Sequence, residues 1–291
     1  MRDADPDFPP IVLTFAASDP SGGAGLQADI LTLSSMGCHP LSVLTAYTIQ
    51  DTAGVEGLQA LDPEWVADQA RCLLEDMPID AFKIGVLGSI ENITAIAEVL
   101  SDYPDVPLIL DPVLASGRGD ELANEEMAQA MRELLLPQTT VLTPNSMEAR
   151  RLADAEDDDE VTLATCAERL LALGTEYVLI TGTHEATPEV INTLYGRGGV
   201  VRRDAWPRLP GSFHGSGCTL ASAVAAMLAN GLDVPEAVRE AQDYTWHTLK
   251  KAYRPGMGQF LPDRLFWARE GAETPGDTPV VSHSPDVRSN H

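Results

Sequence analysis

IVLTFAASDPSGGAGLQADILTLSSMG, Ile11 to Gly37, decides the fold. It opens on an unbroken apolar run, Ile11 to Ala17, which suits a strand buried on both faces. A loop with Gly22, Gly23 and Gly25 follows. The spacing of Leu26, Ile30, Leu33 and Met36 then predicts a helix that Gly37 stops. Strand, glycine loop and helix make the first part of a βαβ unit.

The same alternation runs outward along the chain. Strands are predicted over Leu41–Ile49, Ala81–Leu87, a short run ending at Asp111, Thr139–Thr143 and Tyr177–Thr181. Between them fall helices opened by Pro63, from about Ile90 to Leu100, from an Asn124 cap to Leu136, and from Cys166 to Leu173. Such alternation predicts an α/β fold with a mainly parallel sheet. Right-handed crossovers then gather the loops after the strand C-termini on one edge, where ligands bind. After Thr181 the rhythm changes to a hairpin over Glu189–Trp206, around Gly196, Gly198 and Gly199. Helices over Ser216–Asn230 and Pro235–Ala252, and a short one near Pro262, complete the reading. Residues 1–10 read as an extension and 11–269 as one domain. Residues 270–291, rich in Pro, Ser, Thr and charge, read as a disordered tail.

Lys and Arg number 19 against 44 Asp and Glu, a formal net charge of −25. Such a surface repels nucleic acid and anionic membrane, so neither is an expected partner. An anionic substrate then depends on local positive features, such as a helix N-terminus or a metal ion. The acidic run Asp154–Glu160 fails the EF-hand spacing and reads as a solvated loop. Cys38, Cys72, Cys166 and Cys218 form no C-x-x-C pair. MRDADPDFPP lacks the apolar region of a signal peptide, and no apolar run reaches the length of a membrane span. The expectation is a cytoplasmic protein with reduced thiols.

HGSGCTLASAVAAML, His214 to Leu228, carries the clearest chemistry. Leu220, Val224 and Leu228 recur at helical spacing behind a Gly-x-Gly turn. The first helical turn leaves backbone N–H groups free, and Gly215 and Gly217 let an anion approach them. Gly215, Ser216 and Gly217 are therefore a candidate anion hole. Cys218 ends the turn, where a thiol's pKa is lowered, and is the candidate catalytic base. That arrangement suits phosphoryl transfer. The plainer reading is a glycine-rich helix start with a buried structural cysteine.

Other strand-end loops add to it. The loop after the first strand is no P-loop, since no G-K-[ST] occurs, and Ala28 breaks G-x-G-x-x-G. Asp29 could accept hydrogen bonds from a ligand amine, or face solvent on its helix. Gln50 ends the second strand and offers an amide that pairs with an aminopyrimidine edge, unless it makes only turn contacts. Asp111, Asn145 and Glu148 follow two further strands. Their oxygens could hold Mg²⁺, in part through water, with Asp111 and Glu148 as the metal candidates. Asn145-x-x-Glu148 fits a helix capping box as well.

Taken in order, DPSGGAGLQAD, the Gln50 strand end, KIG at Lys83 to Gly85, LDPV, TPN-x-x-E and HGSGC resemble the hydroxymethylpyrimidine/phosphomethylpyrimidine kinase family, within the ribokinase-like superfamily. The resemblance covers roughly Ile11 to Pro262. It implies a three-layer α/β/α sandwich of ribokinase-like type around the mainly parallel sheet. It implies two successive ATP-dependent phosphorylations in thiamine biosynthesis, first of the hydroxymethyl group and then of the monophosphate. Position by position it assigns Gln50 to the pyrimidine, Asp29 and Val86 to its pocket, Gly215–Cys218 to the anion hole and base, and Asn145 and Glu148 to metal and phosphates. It also implies Mg²⁺ with ATP as co-substrate, and a homodimer. Two positions depart from the family pattern. Val86 stands where Met is usual, and TGTH, Thr181 to His184, replaces KGGH at the expected ATP side. The alternatives are a pyridoxal-type kinase and a non-catalytic pyrimidine-binding relative.

Overall fold

A computed structural model describes residues 8–116, 118–155 and 161–269. The predicted tail over 270–291 lies outside the described residues, as does most of the acidic run Asp154–Glu160 and most of the 1–10 extension.

Nine strands join one sheet in the order β3-β2-β1-β4-β5-β6-β7-β8-β9. The strands are β1 (Ile11–Ser18), β2 (His39–Gln50), β3 (Val55–Ala60), β4 (Ala81–Ile84), β5 (Leu108–Leu110), β6 (Val141–Leu142), β7 (Tyr177–Ile180), β8 (Glu189–Gly196) and β9 (Gly199–Pro207). The six strands from β2 to β7 run parallel, and β3, β8 and β9 add antiparallel edges. The chain starts mid-sheet, builds β2 and β3 on one side, and returns to place β4 on the other side of β1. The order therefore reverses beside β1, and ligands settle at such a point.

Alternate residues of each strand serve opposite faces. Val12, Ile109, Val141 and Leu179 pack with Leu33 of α1 (Gly25–Ser35) and Val224 of α7 (Ser216–Ala229). Leu13, Phe15, Ile84 and Leu110 pack on the other face. Their partners there are Val66 of α2 (Pro63–Asp76) and Ile93 and Ile96 of α3 (Ile90–Ser101). With α8 (Val234–Lys250) beside α7, these helices make the expected three layers.

Four expectations shift. The edge strand β3 escapes the periodicity because VEGLQA is short and half exposed. The single helix expected from Asn124 to Leu136 is α4 (Glu125–Ala130), a π-helical turn over Met131–Leu135 and a 3-10 turn over Leu136–Gln138, where Pro137 lacks an N–H to continue. The last short helix, α9, lies over Phe266–Arg269 rather than at Pro262. In α1, Ile30 is exposed, and the buried face includes Asp29 and Thr32 instead.

Candidate active site

The parallel strands deliver their C-terminal residues in a row. Along the sheet lie Gln50 (β2), Asp19 (after β1), Val86 (after β4), Asp111 (after β5), Asn145 (after β6) and Thr181 (after β7). At about 4.8 Å between strands, the row spans roughly 24 Å. Helix α7 packs across β1, β4 and β5, so its N-terminus stands over the middle of that row.

At the centre, Gly215 is the N-cap of α7 with φ +78. A Cβ there would lie 1.8 Å from the Gly23 carbonyl oxygen, so only glycine fits. The turn leaves Ser216 half-buried and Gly217 exposed, with the first-turn N–H groups of α7 facing outward. Asp111 lies directly under Gly217, its carboxylate oxygens 3.6 and 3.8 Å from where a Gly217 Cβ would be.

Cys218 is buried beside Asp111, and its thiol favours the ionised Asp111 carboxylate while the Gly25 N–H favours the thiolate. Burial pushes this thiol up to about 12, and the Asp111 and Asp29 carboxylates push the same way against Lys83. The lowered pKa expected at a helix N-terminus is therefore overturned. Loss of water and two nearby carboxylates outweigh the helix dipole. Asp111 itself is raised to about 6, by burial first and then by Asp29, against Lys83 and the neighbouring Cys218 thiol.

Asp29 is also a correction. It is fully buried, and its oxygens accept from Thr14 at 2.7 Å, Ser222 at 2.8 Å and Lys83 at 2.9 Å. It neither faces solvent nor presents a free face to a ligand. Lys83 is fully buried with it. Burial alone would lower the Lys83 pKa. The Asp29 carboxylate, with Cys218 and Asp111 behind it, reverses this and holds the ammonium above its ordinary value. The sequence held a signal for the pair, a lysine inside an apolar strand, which needs a buried partner.

At the β2 end, Gln50 is half-buried rather than a free turn residue. Its Nε2 lies 3.0 Å from His214 Nε2, and its Oε1 accepts from Thr48 at 3.0 Å. The same His214 nitrogen is 2.8 Å from Asp19 Oδ2. With the His214 Nε2 proton given to Asp19, the Gln50 contact on that nitrogen is satisfied only by the flipped amide, its oxygen toward the ring and its nitrogen toward Thr48. Asp19, which also accepts from the Ala24 and Ser21 N–H groups, is held below its ordinary pKa: its own burial raises it, but hydrogen bonds from His214 and Ser21 prevail. The Asp19–His214 pair is absent from the sequence reading, since the two lie 195 residues apart. Val86 is half-buried beyond β4, its carbonyl accepting from Thr45 at 2.6 Å.

At the far end the capping box is real. Asn145 accepts from the Met147 and Glu148 N–H groups, and Glu148 accepts from Asn145 N at 3.0 Å. The other Glu148 oxygen accepts from Leu114 N at 3.1 Å, tying α5 (Ser146–Leu152) to the loop after β5. Val113 in that loop has φ +32, a strained value for a β-branched residue. Glu148 is raised to about 7, mainly by burial and then by Asp111, against its two backbone donors. Thr181 is half-buried beside Asn145, while His184 is exposed on a loop whose carbonyls Arg208 grips.

Mg²⁺ can be tested against these groups. Asp111 Oδ2 is buried with no hydrogen-bond partner, and the Asp111 carboxylate raises the Glu148 pKa. Such a negative pair suits a hard cation. Among the described residues no group of three or more His, Cys, Asp or Glu forms a metal cluster. The donor set therefore fits a Mg²⁺ that brings waters and phosphate oxygens with it.

An anion-facing helix start over a switch point of a parallel sheet, with carboxylates beside it, defines a kinase of the ribokinase-like class. Residues 19–263 match the phosphomethylpyrimidine kinase family model. The chain belongs to that family. A hydroxymethylpyrimidine/phosphomethylpyrimidine kinase of Streptomyces coelicolor is 42% identical over 257 residues, covering 87% of this chain and 93% of the relative. A phosphomethylpyrimidine kinase structure from Clostridium difficile is 34% identical with a TM-score of 0.71, over 81% of this chain and 97% of that one. A pyridoxal kinase from Staphylococcus aureus, solved with ADP, is 29% identical with a TM-score of 0.82, over 90% and 95%.

Proposed function

We propose that this protein uses ATP to phosphorylate 4-amino-5-hydroxymethyl-2-methylpyrimidine and then its monophosphate, as a step of thiamine biosynthesis. The observation that carries this is the buried Cys218 thiol set beside the Asp111 carboxylate at the open N-terminus of α7. An acceptor hydroxyl placed there can pass its proton to the Cys218 sulfur while the thiol proton moves to Asp111. The freed oxygen then forms its bond to the γ-phosphorus as the bond to ADP breaks. Gln50 holds the pyrimidine edge at one end of the row. Asn145, Thr181 and His184 lie toward the nucleotide at the other. Asp111 and Glu148 would hold Mg²⁺ through water, and when bound it would supply charge neutralisation between the phosphates. Product analysis with the pyrimidine alcohol and MgATP tests the reading. Sequential mono- and diphosphate are expected, and binding of the pyrimidine without turnover of ATP would leave only a ligand-binding relative. The likeness to a pyridoxal kinase supports a second substrate class, which a side-by-side rate assay separates.

Glu148→Gln separates the metal role from the cap. Glutamine's single oxygen keeps the bond from the Asn145 N–H but loses the charge and the second bond, from Leu114 N. The half-maximal Mg²⁺ concentration is expected to rise several-fold. Stability gives a second readout. The native Glu148 carboxyl stays protonated up to about 7 against an ordinary 4.5. Its favourable contribution is thus complete below the ordinary value and is lost as pH rises through about 7. The variant should flatten that decline. A lower Tm with an unshifted Mg²⁺ requirement would reduce Glu148 to a cap.

A homodimer is the assembly we infer. Tyr47 and Ile49 stand two residues apart on one face of β2 and are 57% and 68% exposed. Sedimentation equilibrium should give twice the chain mass, falling to the chain mass in Tyr47→Glu/Ile49→Glu; a monomeric wild type would reject it. No helix among the described residues is long and apolar enough to cross a membrane.

A further inference from the structure

Arg264 lies one residue beyond the stretch matched by the family model. It is only 4% exposed. It is carried there by the segment after α8, which folds back over the site. Within that segment Tyr253 pairs with Leu261, the Phe260 carbonyl accepts from His214 N, and Gln259 N donates to Thr52 O. The Arg264 guanidinium then reaches between the two glycine turns. Nη2 donates to the Gly23 carbonyl at 2.5 Å and the Gly215 carbonyl at 3.5 Å, and Nη1 to Gly22 O at 3.4 Å. Nε donates to Thr219 Oγ1 at 3.0 Å, whose own proton goes to Gly215 O at 2.8 Å. Among the described residues no carboxylate forms a salt bridge with it.

The consequence follows from the planarity of the peptide. In a trans peptide the C=O and the next N–H point in opposite directions. Holding the Gly215 oxygen inward therefore aims the Ser216 N–H outward, at the position an anion would take. Gly215 and Gly23 touch with no room for a side chain, so the two turns must be held in register. A planar fork with several donors can grip carbonyls from both turns at once; an ammonium cannot. The guanidinium charge also sits behind the N–H groups, where an incoming phosphoryl group would be its counter-charge.

We propose that Arg264 is the positioning residue of the phosphoryl cradle, fixing the α7 turn against the Gly22–Gly23 loop and backing it with positive charge. This rests on the phosphoryl-transfer reading above. The test uses Arg264→Lys in the full chain. Four quantities are read: kcat for the first phosphorylation, ADP affinity, pyrimidine affinity and affinity for ADP with aluminium fluoride, a mimic of the transferring group. Misplacing a reacting group by about 1 Å can cost on the order of 100-fold. A 10- to 100-fold fall in kcat is therefore expected (~10²-fold at most), with a matching loss for the aluminium fluoride complex. ADP and pyrimidine affinities should stay near wild type. A folded variant with wild-type kcat overturns the proposal. So does a loss of kcat matched by equal losses of ADP and pyrimidine affinity, which general loosening would produce. Should Arg264→Lys fail to fold, Thr219→Val decides, because it removes the hydroxyl that links Arg264 Nε to the Gly215 carbonyl and leaves the guanidinium's contacts with Gly22 and Gly23. Lower kcat with intact ADP affinity supports the role, and unchanged kcat overturns it. Turnover by the wild-type protein, run alongside, tests the underlying reading separately.

Discussion

Cys218→Ala is expected to lower kcat for the first phosphorylation by roughly 10²- to 10⁴-fold, the usual worth of a positioned acid–base group. Pyrimidine affinity should stay near wild type. The reasoning differs from that for an ordinary cysteine base. With its pKa pushed up to about 12, the thiol is not ionised at neutral pH. It can still act as a base if its own proton leaves as the new one arrives. Asp111, beside it and raised to about 6, is the acceptor that makes this possible. The relay requires an ionised Asp111, so the first step should lose rate as pH falls through about 6. Asp111→Asn should be slow at all pH values and lack this limb. Cys218→Ser, whose hydroxyl can also pass a proton, should retain more activity than Cys218→Ala. The second phosphorylation starts from an ionised phosphate oxygen and should be less affected. Wild-type kcat in Cys218→Ala would remove the residue from proton transfer.

Lys83→Met should cost about 3–5 kcal/mol of folding stability, the typical effect of deleting one partner of a buried ion pair. Both groups are fully buried, with Nζ 2.9 Å from each Asp29 oxygen. Removal of the ammonium leaves the Asp29 carboxylate with only the Thr14 and Ser222 hydroxyls. Adding Asp29→Asn should recover much of the loss, because the amide oxygen still accepts from one hydroxyl, its NH2 donates to the other, and no buried charge remains. Denaturant melts of the two single variants and the double variant measure the coupling. Additive losses would show that the pair is not the unit that matters. Catalysis gives a second signature. Lys83 opposes the rise in the Cys218 and Asp111 pKa values, so in a folded Lys83→Met protein the acid limb should move to higher pH.

Periodicity and turn chemistry carried far in this chain. The runs at Ile11–Ala17, Tyr177–Thr181 and the hairpin over Glu189–Trp206 each became a strand or strand pair, because continuous or alternating apolar residues can be buried in few ways. Gly215 and the turn it opens were legible for the same reason: a positive φ ahead of a helix demands glycine. What stayed hidden was every contact between distant segments. A thiol at a helix N-terminus reads as acidic until Asp111 and Asp29 are found beside it, from two other elements. Asp29 reads as a ligand group until Lys83, 54 residues on, is found to occupy it. Arg264 follows no local pattern, and its partners Gly22, Gly23 and Gly215 come to it only through the return of the chain after α8. Local backbone preference acts over a few residues and can be read in line. Desolvation and charge act through space, so pKa values and polar partners were decided only when the tertiary fold brought those groups together.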